Sequence, residues 1–107
     1  MLAWIYLSAA IATEVLGTVF LRNTEGFTRP APSIFVIVTF VVSLWLTALA
    51  LKSLEISLAY AVWAGVGTAA VAVIGMAMLG ESVNTLKLAS IALVIGGVVG
   101  LNLSGAN

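Results

Sequence analysis

The stretch "PAPSIFVIVTFVVSLWLTALAL", residues 30–51, contains no charged residue. An α-helix needs about 20 mostly apolar residues to cross the hydrocarbon core of a bilayer, and this stretch is long enough. With Glu14 set aside, three further charge-free stretches flank it, at residues 2–21, 56–80 and 88–107. The last of these needs residues 85–87 at its rim. The pattern predicts four membrane-spanning segments.

The overall composition favours the same fold class. Of the 107 residues, 63% are hydrophobic and only 7% are charged, whereas soluble domains have roughly 25% charged residues. A backbone in lipid must satisfy its own hydrogen bonds, and the alternating polarity of barrel strands is missing. We therefore predict an all-α integral membrane protein. Residues 1–107 form one four-helix transmembrane domain, with helices at about 3–21, 33–51, 57–79 and 86–103.

The composition also excludes several functional classes. The formal net charge is zero, and the chain has neither cysteine nor histidine. A neutral chain offers no basic surface to nucleic acid, and disulfides and cysteine-based metal sites are ruled out. No nucleophile–base pair, metal-ligand cluster or phosphate-binding loop is recognisable. The sequence predicts neither an enzyme nor a metal protein, and the long, acid-containing first segment does not resemble a signal peptide.

The connections between the segments are short and polar. In "RNTEGFTRPAPS", Pro32 suits the first turn of the second helix, where a missing N–H costs little. In "GESVNT", Asn84 or Thr85 can cap the fourth helix. Short links of this kind make neighbouring helices antiparallel. Arg22, Arg29 and Lys87 then lie on one side and Lys52 on the other, a bias so small that insertion in both orientations is expected.

The first span contains one acid, Glu14, in "SAAIATEVLGTVF", residues 8–20. A charge near the bilayer centre costs at least a few kcal/mol. No basic residue lies nearby within the spans, and Arg22 is two turns away. An ion pair, or a permanently neutral acid that joins helices, remains a possible explanation. An unpaired intramembrane acid, however, is typical of an ion or substrate pathway.

An acid in this position can bind a proton or an organic cation, but not both. The proton removes the charge that attracts the cation, so each ligand displaces the other. Mutual exclusion at one carboxylate predicts antiport, with protons moving one way and cargo the other. The proton gradient would be the energy source, and no cofactor is needed.

The neighbours of Glu14 on its helix face are compatible with a binding site. Thr18 can donate a hydrogen bond to the carboxylate, and the small residues let a helix or a ligand approach closely. Ordinary packing, with Thr18 bonded to its own backbone, is the alternative. The residues of this face are Leu7, Ala10, Ile11, Gly17 and Thr18.

Aromatic residues supply a second feature of a cation site. In "AYAVWAGVGTAA", residues 59–70, Tyr60 and Trp63 share a helix face. Aromatic rings attract cations most strongly where water is excluded, although Tyr60 also suits an interfacial aromatic belt. On the second helix, Phe40 and Ser43 could add a ring and a hydroxyl, or simply pack in the core.

Glycines suggest a hinge and an association surface. Gly65 and Gly67 could let the third helix bend, or could let helices pack closely. The fourth helix carries no acid, base or aromatic ring, and its small residues form helix-association patterns. These residues are Ser90, Gly96, Gly97 and Gly100. Four helices are too few to enclose a cavity with two gates, so a homodimer is expected.

The stretches "TEVLGTVFLR", "EGFTRPAPS", "AYAVWAGVGT" and "LGES" resemble the small multidrug resistance transporters over nearly the whole chain. The resemblance implies an antiparallel homodimer in the bacterial inner membrane that exports lipophilic or quaternary ammonium cations in exchange for protons. By position, Glu14 would be the shared carboxylate, Tyr60 and Trp63 the aromatic walls, and Thr18 and Ser43 polar supporting groups. Gly65 and Gly67 would form the hinge.

The resemblance also bears on the substrate. The guanidinium-exporting branch typically has tryptophan where Gly17 stands and glycine where Ile11 stands, so this chain is more similar to the multidrug branch. It departs from that branch at Phe40, where a tyrosine is common, and at Glu55, where a proline is frequent. A guanidinium or polyamine exporter, which can be a pair of unlike subunits, is the alternative. A membrane assembly subunit without transport activity is another.

Overall fold

The computed structural model describes residues 1–104 and contains four long α-helices within them. Each is long and apolar enough to cross a membrane. A single turn of 3-10 helix, Arg22–Thr24, follows the first. The four helices are α1, Leu2–Leu21, α2, Pro30–Ala50, α3, Ile56–Met78, and α4, Thr85–Leu103. The predicted all-α membrane fold is confirmed.

One helix start differs clearly from the sequence prediction. Helix α2 begins at Pro30 rather than near residue 33. Arg29, the residue before this proline, has extended backbone angles (φ −95°, ψ 117°), which the proline ring itself favours. Pro30 can open the helix because the first helical N–H has no partner within the helix. Pro32 still lies in the first turn, as expected.

The chain divides into two compact units, Met1–Ser53 and Leu54–Asn107. In the first, α1 packs along α2, and the rings of Phe20 and Phe35 meet edge to face with centroids 5.4 Å apart. In the second, α3 packs along α4. The single four-helix domain stays a prediction.

The connection between α1 and α2 is organised around Thr24, which is 1% exposed. Its hydroxyl donates to the Leu21 carbonyl (2.7 Å) and accepts the Phe27 N–H (3.2 Å). Its own carbonyl accepts the Arg29 N–H. Residues 25–27 all have positive φ, 48°, 72° and 65°, so these bonds hold the chain in a conformation that only Gly26 adopts without strain.

The connection between α3 and α4 is closed by a glycine and a helix cap. Gly80 has φ 73°, and the carbonyl of Gly75 accepts the N–H groups of both Leu79 and Glu81. Asn84 caps α4, because its side-chain oxygen accepts the Lys87 N–H at 2.8 Å. The prediction of a cap at residue 84 or 85 is confirmed at Asn84.

Candidate functional site

Glu14 lies in the middle of α1 and is partly buried. The Thr18 hydroxyl, one turn further along the same helix, donates a hydrogen bond of 2.8 Å to Glu14 Oε1. The expected donor is therefore present, and it does not bond to its own helix backbone. An ionised carboxylate has about four acceptor sites, so one bond from Thr18 leaves most of its capacity for a proton or a ligand.

Glu14 has no basic partner within the described residues. The ion pairs found in residues 1–104 are Arg29–Glu25 and Lys87–Glu81, both at 3.7 Å and both outside the middle of the helices. Within residues 1–104 no group of three His, Cys, Asp or Glu side chains could hold a metal ion. Among the described residues, the hydrogen-bond partner of the Glu14 carboxylate is therefore Thr18.

The predicted face around Glu14 is closely packed. Leu7, Ala10, Ile11 and Gly17 are all buried. The Ser43 hydroxyl, 3% exposed, donates to the Ala10 carbonyl at 2.7 Å. The Ser43 hydroxyl therefore donates its hydrogen bond to the backbone of α1, so its main observed role is to join α1 and α2.

Gly17 is the point of closest approach to α2. A Cβ built on Gly17 would overlap Thr39 Oγ1 and lie 2.8 Å from Phe40 Cε1. Ordinary carbon contacts are about 3.5–4.0 Å, so a larger residue fits here only if the Thr39 and Phe40 side chains shift. The structure thus places Phe40, a predicted ring of the site, directly beside Gly17.

In the second unit, Tyr60 and Trp63 form an aromatic pair on α3. Their ring centroids are 5.7 Å apart with planes inclined at 57°. Tyr60 is 65% exposed. Trp63 Nε1 is buried without a hydrogen-bond partner among the described residues. Buried indole N–H groups normally have a partner, so this donor is available to an added group.

Gly65 and Gly67 are both buried in α3, which runs without interruption through them. A Cβ on Gly65 would press on Val98 and lie 3.3 Å from Val94 Cγ1. Gly65 therefore permits close packing of α3 on α4. A hinge at the two glycines stays a prediction, and any bend at Gly65 would have to change this contact.

The predicted association surface on α4 is open in this chain. A Cβ built on Gly96, Gly97 or Gly100 would meet nothing within 4 Å, and Ser90 is exposed. No residue of α4 is buried. The small-residue face is thus accessible to a neighbouring helix.

Sequence reasoning overlooked two contacts. Thr39 was not considered, although it lies four residues before Ser43 and so shares its helix face. Gly75 was not considered either. A Cβ there would overlap the Glu81 carboxylate, with Glu81 Cδ at 2.6 Å. The hydroxyl spacing on α2 was a usable signal for Thr39. Nothing in the sequence pattern pointed to the Gly75–Glu81 contact.

Comparison of the amino-acid sequence with known proteins assigns this chain to a family. The family model described as "Small Multidrug Resistance protein" matches residues 2–94. The guanidinium exporter of Escherichia coli O6:H1 is 46% identical over 103 residues, which cover 96% of this chain and 98% of the relative.

Two further relatives carry different names. The nicotine metabolites export pump subunit NepB of Paenarthrobacter nicotinovorans is 45% identical over 102 residues, covering 95% of this chain and 61% of that protein. The uncharacterized membrane protein YvaE of Bacillus subtilis is 44% identical over 100 residues, covering 94% and 84%.

The named functions are those of exporters and not of enzymes, in agreement with the prediction from the sequence. Four membrane-spanning helices and exporters of this family together indicate a multi-pass protein of the bacterial inner membrane. The chain belongs to the small multidrug resistance family of membrane exporters.

Proposed function

We propose that this exporter couples efflux of a small organic cation to proton entry through Glu14, which binds either ligand but never both. The observation that carries the proposal is the surroundings of the Glu14 carboxylate. It lies in a membrane-spanning helix with Thr18 as its hydrogen-bond donor and with no basic partner among the described residues.

Exchange follows from competition at this carboxylate. The deprotonated form attracts a cation strongly because the surroundings are poor in water, and the protonated form does not. A proton arriving from the acidic side of the membrane therefore releases the cation, and a cation from the other side releases the proton. The proton gradient is the energy source in this scheme, and no cofactor takes part.

For the substrate, we propose a guanidinium-type cation. The names of relatives at 45–46% identity, which are guanidinium exporters, favour this over the quaternary ammonium substrate expected from Gly17 and Ile11. The site chemistry is compatible with it. The Thr18 hydroxyl donates its hydrogen bond to Glu14, so its oxygen can accept a hydrogen bond from a ligand N–H. A guanidinium ion carries such N–H donors, whereas a quaternary ammonium ion has none.

A lipophilic aromatic or quaternary cation is the second candidate. The tilted pair of Tyr60 and Trp63 presents ring faces of the kind that bind such cations. Tyr60 is largely exposed and can contact a ligand in this chain. A small planar cation has less need of an aromatic wall, so the two candidates differ in their dependence on these rings.

We further propose that the working unit is an antiparallel homodimer. The open glycine face of α4 supports association with a second chain, and the small excess of Arg22, Arg29 and Lys87 over Lys52 supports insertion in both orientations. A pair of unlike subunits is the alternative. It is favoured by the relative NepB, which is named as a subunit of a pump.

The proposal is tested with purified protein in liposomes that contain a pH-sensitive dye. A gradient of guanidinium chloride is imposed, and proton movement is recorded beside a parallel gradient of tetraphenylphosphonium. Larger proton flux with guanidinium supports the first candidate. Larger flux with tetraphenylphosphonium replaces it with the second, and no flux above protein-free liposomes with either cation contradicts coupling.

A further inference from the structure

Two hydroxyl residues of α2 contact α1 on either side of Glu14. Ser43 Oγ donates to the carbonyl of Ala10, four residues before Glu14. Thr39 Oγ1 occupies the place of a side chain on Gly17, three residues after Glu14. Thr39 and Ser43 are themselves four residues apart and are 7% and 3% exposed. Helix α2 is therefore held against α1 about one turn to each side of the acid.

The Thr39 side chain is fixed in this place. Its hydroxyl donates to the Val36 carbonyl at 2.8 Å, within its own helix, and this bond selects one rotamer of a side chain that is already stiff. The position opposite must then be glycine, because a Cβ on Gly17 would overlap the Thr39 oxygen and crowd the Phe40 ring. Thr39 and Gly17 fit together as a fixed contact.

Two contacts on one face determine how far α1 can rotate about its axis against α2. Glu14 lies between them along α1, so they determine the direction in which its carboxylate points. This direction in turn determines how accessible the carboxylate is to water and to the ligand. A small displacement at Gly17 would therefore change the competition between proton and cation, because hydration favours the charged form of an acid.

We propose that Thr39 is a positioning residue for Glu14, acting through its contact with Gly17 and together with the Ser43–Ala10 hydrogen bond. Thr39 does not touch the ligand. It holds α1 in the rotation at which Glu14, with Thr18 bonded to it, binds proton and cation alternately. This inference rests on the function proposed for Glu14.

The test is a set of variants at the contact, each assayed for guanidinium and tetraphenylphosphonium binding across a range of pH. Gly17→Ala should weaken binding about tenfold and move the midpoint of its pH dependence. Gly17→Ala with Thr39→Ala should recover part of both, because the added Cβ still lies 2.8 Å from Phe40 Cε1. Thr39→Ala alone should also move the midpoint, and Thr39→Ser, which keeps the hydroxyl, should move it less.

Thr47→Ala is the matched control. Thr47 is on the same helix, and its hydroxyl likewise bonds to its own backbone, at the Ser43 carbonyl (2.8 Å). It should leave the midpoint unchanged. Thermal unfolding is measured for every variant, so that loss of stability is separated from loss of positioning.

The inference is overturned if Thr39→Ala lowers the unfolding temperature but leaves the midpoint where Thr47→Ala leaves it. It is also overturned if removal of Thr39 recovers none of the binding that the Gly17→Ala chain has lost. If Gly17→Ala does not fold, the single variants of Thr39 still test whether Thr39 positions Glu14. Pairing these assays with Glu14→Gln separates the proposals, because pH-dependent binding by Glu14→Gln contradicts the proposed function itself, whatever Thr39 does.

Discussion

The hydroxyl of Thr18 donates a hydrogen bond of 2.8 Å to Oε1 of Glu14, one helical turn away. A hydrogen bond to a charged group contributes about 1.5–3 kcal/mol. The deprotonated carboxylate, the form that binds a cation, can accept this bond. It also keeps the side chain of Glu14 pointing along its own helix.

Removing this bond should weaken cation binding. In Thr18→Val the shape is kept and the donor is lost, so we expect about tenfold weaker guanidinium binding near neutral pH. The midpoint of the pH dependence of guanidinium binding should also move, because the carboxylate has lost its donor. Titration of binding against pH measures both effects. Thr13→Val is the control, since the Thr13 hydroxyl bonds to the carbonyls of Ala9 and Ala10 and not to the acid. Equal shifts in the two variants would contradict this role.

The two candidate substrates differ in their need for Trp63. A cation over a desolvated indole gains about 2 kcal/mol, so Trp63→Ala should weaken tetraphenylphosphonium binding roughly thirtyfold and guanidinium binding much less. Competition binding with the two cations measures the ratio. Trp45→Ala, at a tryptophan that is 61% exposed on α2, should change neither. Equal losses for both cations would mean that the ring supports the fold and not the ligand.

The turn between α3 and α4 depends on glycine at position 75. In Gly75→Ala the new Cβ meets the Glu81 carboxylate, whose Cδ lies 2.6 Å from that position. This carboxylate is the end of a flexible side chain that is 42% exposed and can move aside, so we expect a loss of only about 0.5 kcal/mol in the free energy of unfolding. Chemical unfolding in detergent measures it. Adding Glu81→Ala should recover most of the loss. A double variant as unstable as Gly75→Ala alone would show that the clash is not the cause.

The open face of α4 makes a prediction about assembly. Gly97→Leu adds a large side chain where nothing lies within 4 Å in this chain. Helix content by circular dichroism should therefore stay unchanged, while only a small fraction of the protein remains dimeric in detergent. Cross-linking followed by gel electrophoresis measures that fraction. A dimer fraction equal to that of the unaltered chain would remove this face from the interface.

The sequence predicted those features that depend on neighbours along the chain. The four helices followed from charge-free stretches, the cap at Asn84 from residue type, and the Thr18–Glu14 bond from a spacing of four residues. The start of α2 was misplaced by about three residues, because Pro32 was assigned to its first turn, whereas Pro30 already occupies the first helical position.

Contacts between helices could not be predicted from the sequence, because they depend on how each helix is rotated about its axis and shifted along its neighbour. The Ser43–Ala10 bond and the Thr39–Gly17 contact join residues that are far apart in the chain. For the substrate, the comparisons favour the alternative reading of the sequence, a guanidinium exporter, over the main one. Gly17 and Ile11 pointed to lipophilic cations, whereas two relatives, at 46% and 45% identity, are named guanidinium exporters.

The central claim is that proton and cation compete for Glu14. The most direct measurement is proton release from detergent-solubilised protein, in weak buffer, when guanidinium chloride or tetraphenylphosphonium is added. We expect the unaltered chain to release protons in proportion to the cation bound, and Glu14→Gln to release none. Cation binding by the unaltered chain without any proton release, or equal release from Glu14→Gln, would contradict the account.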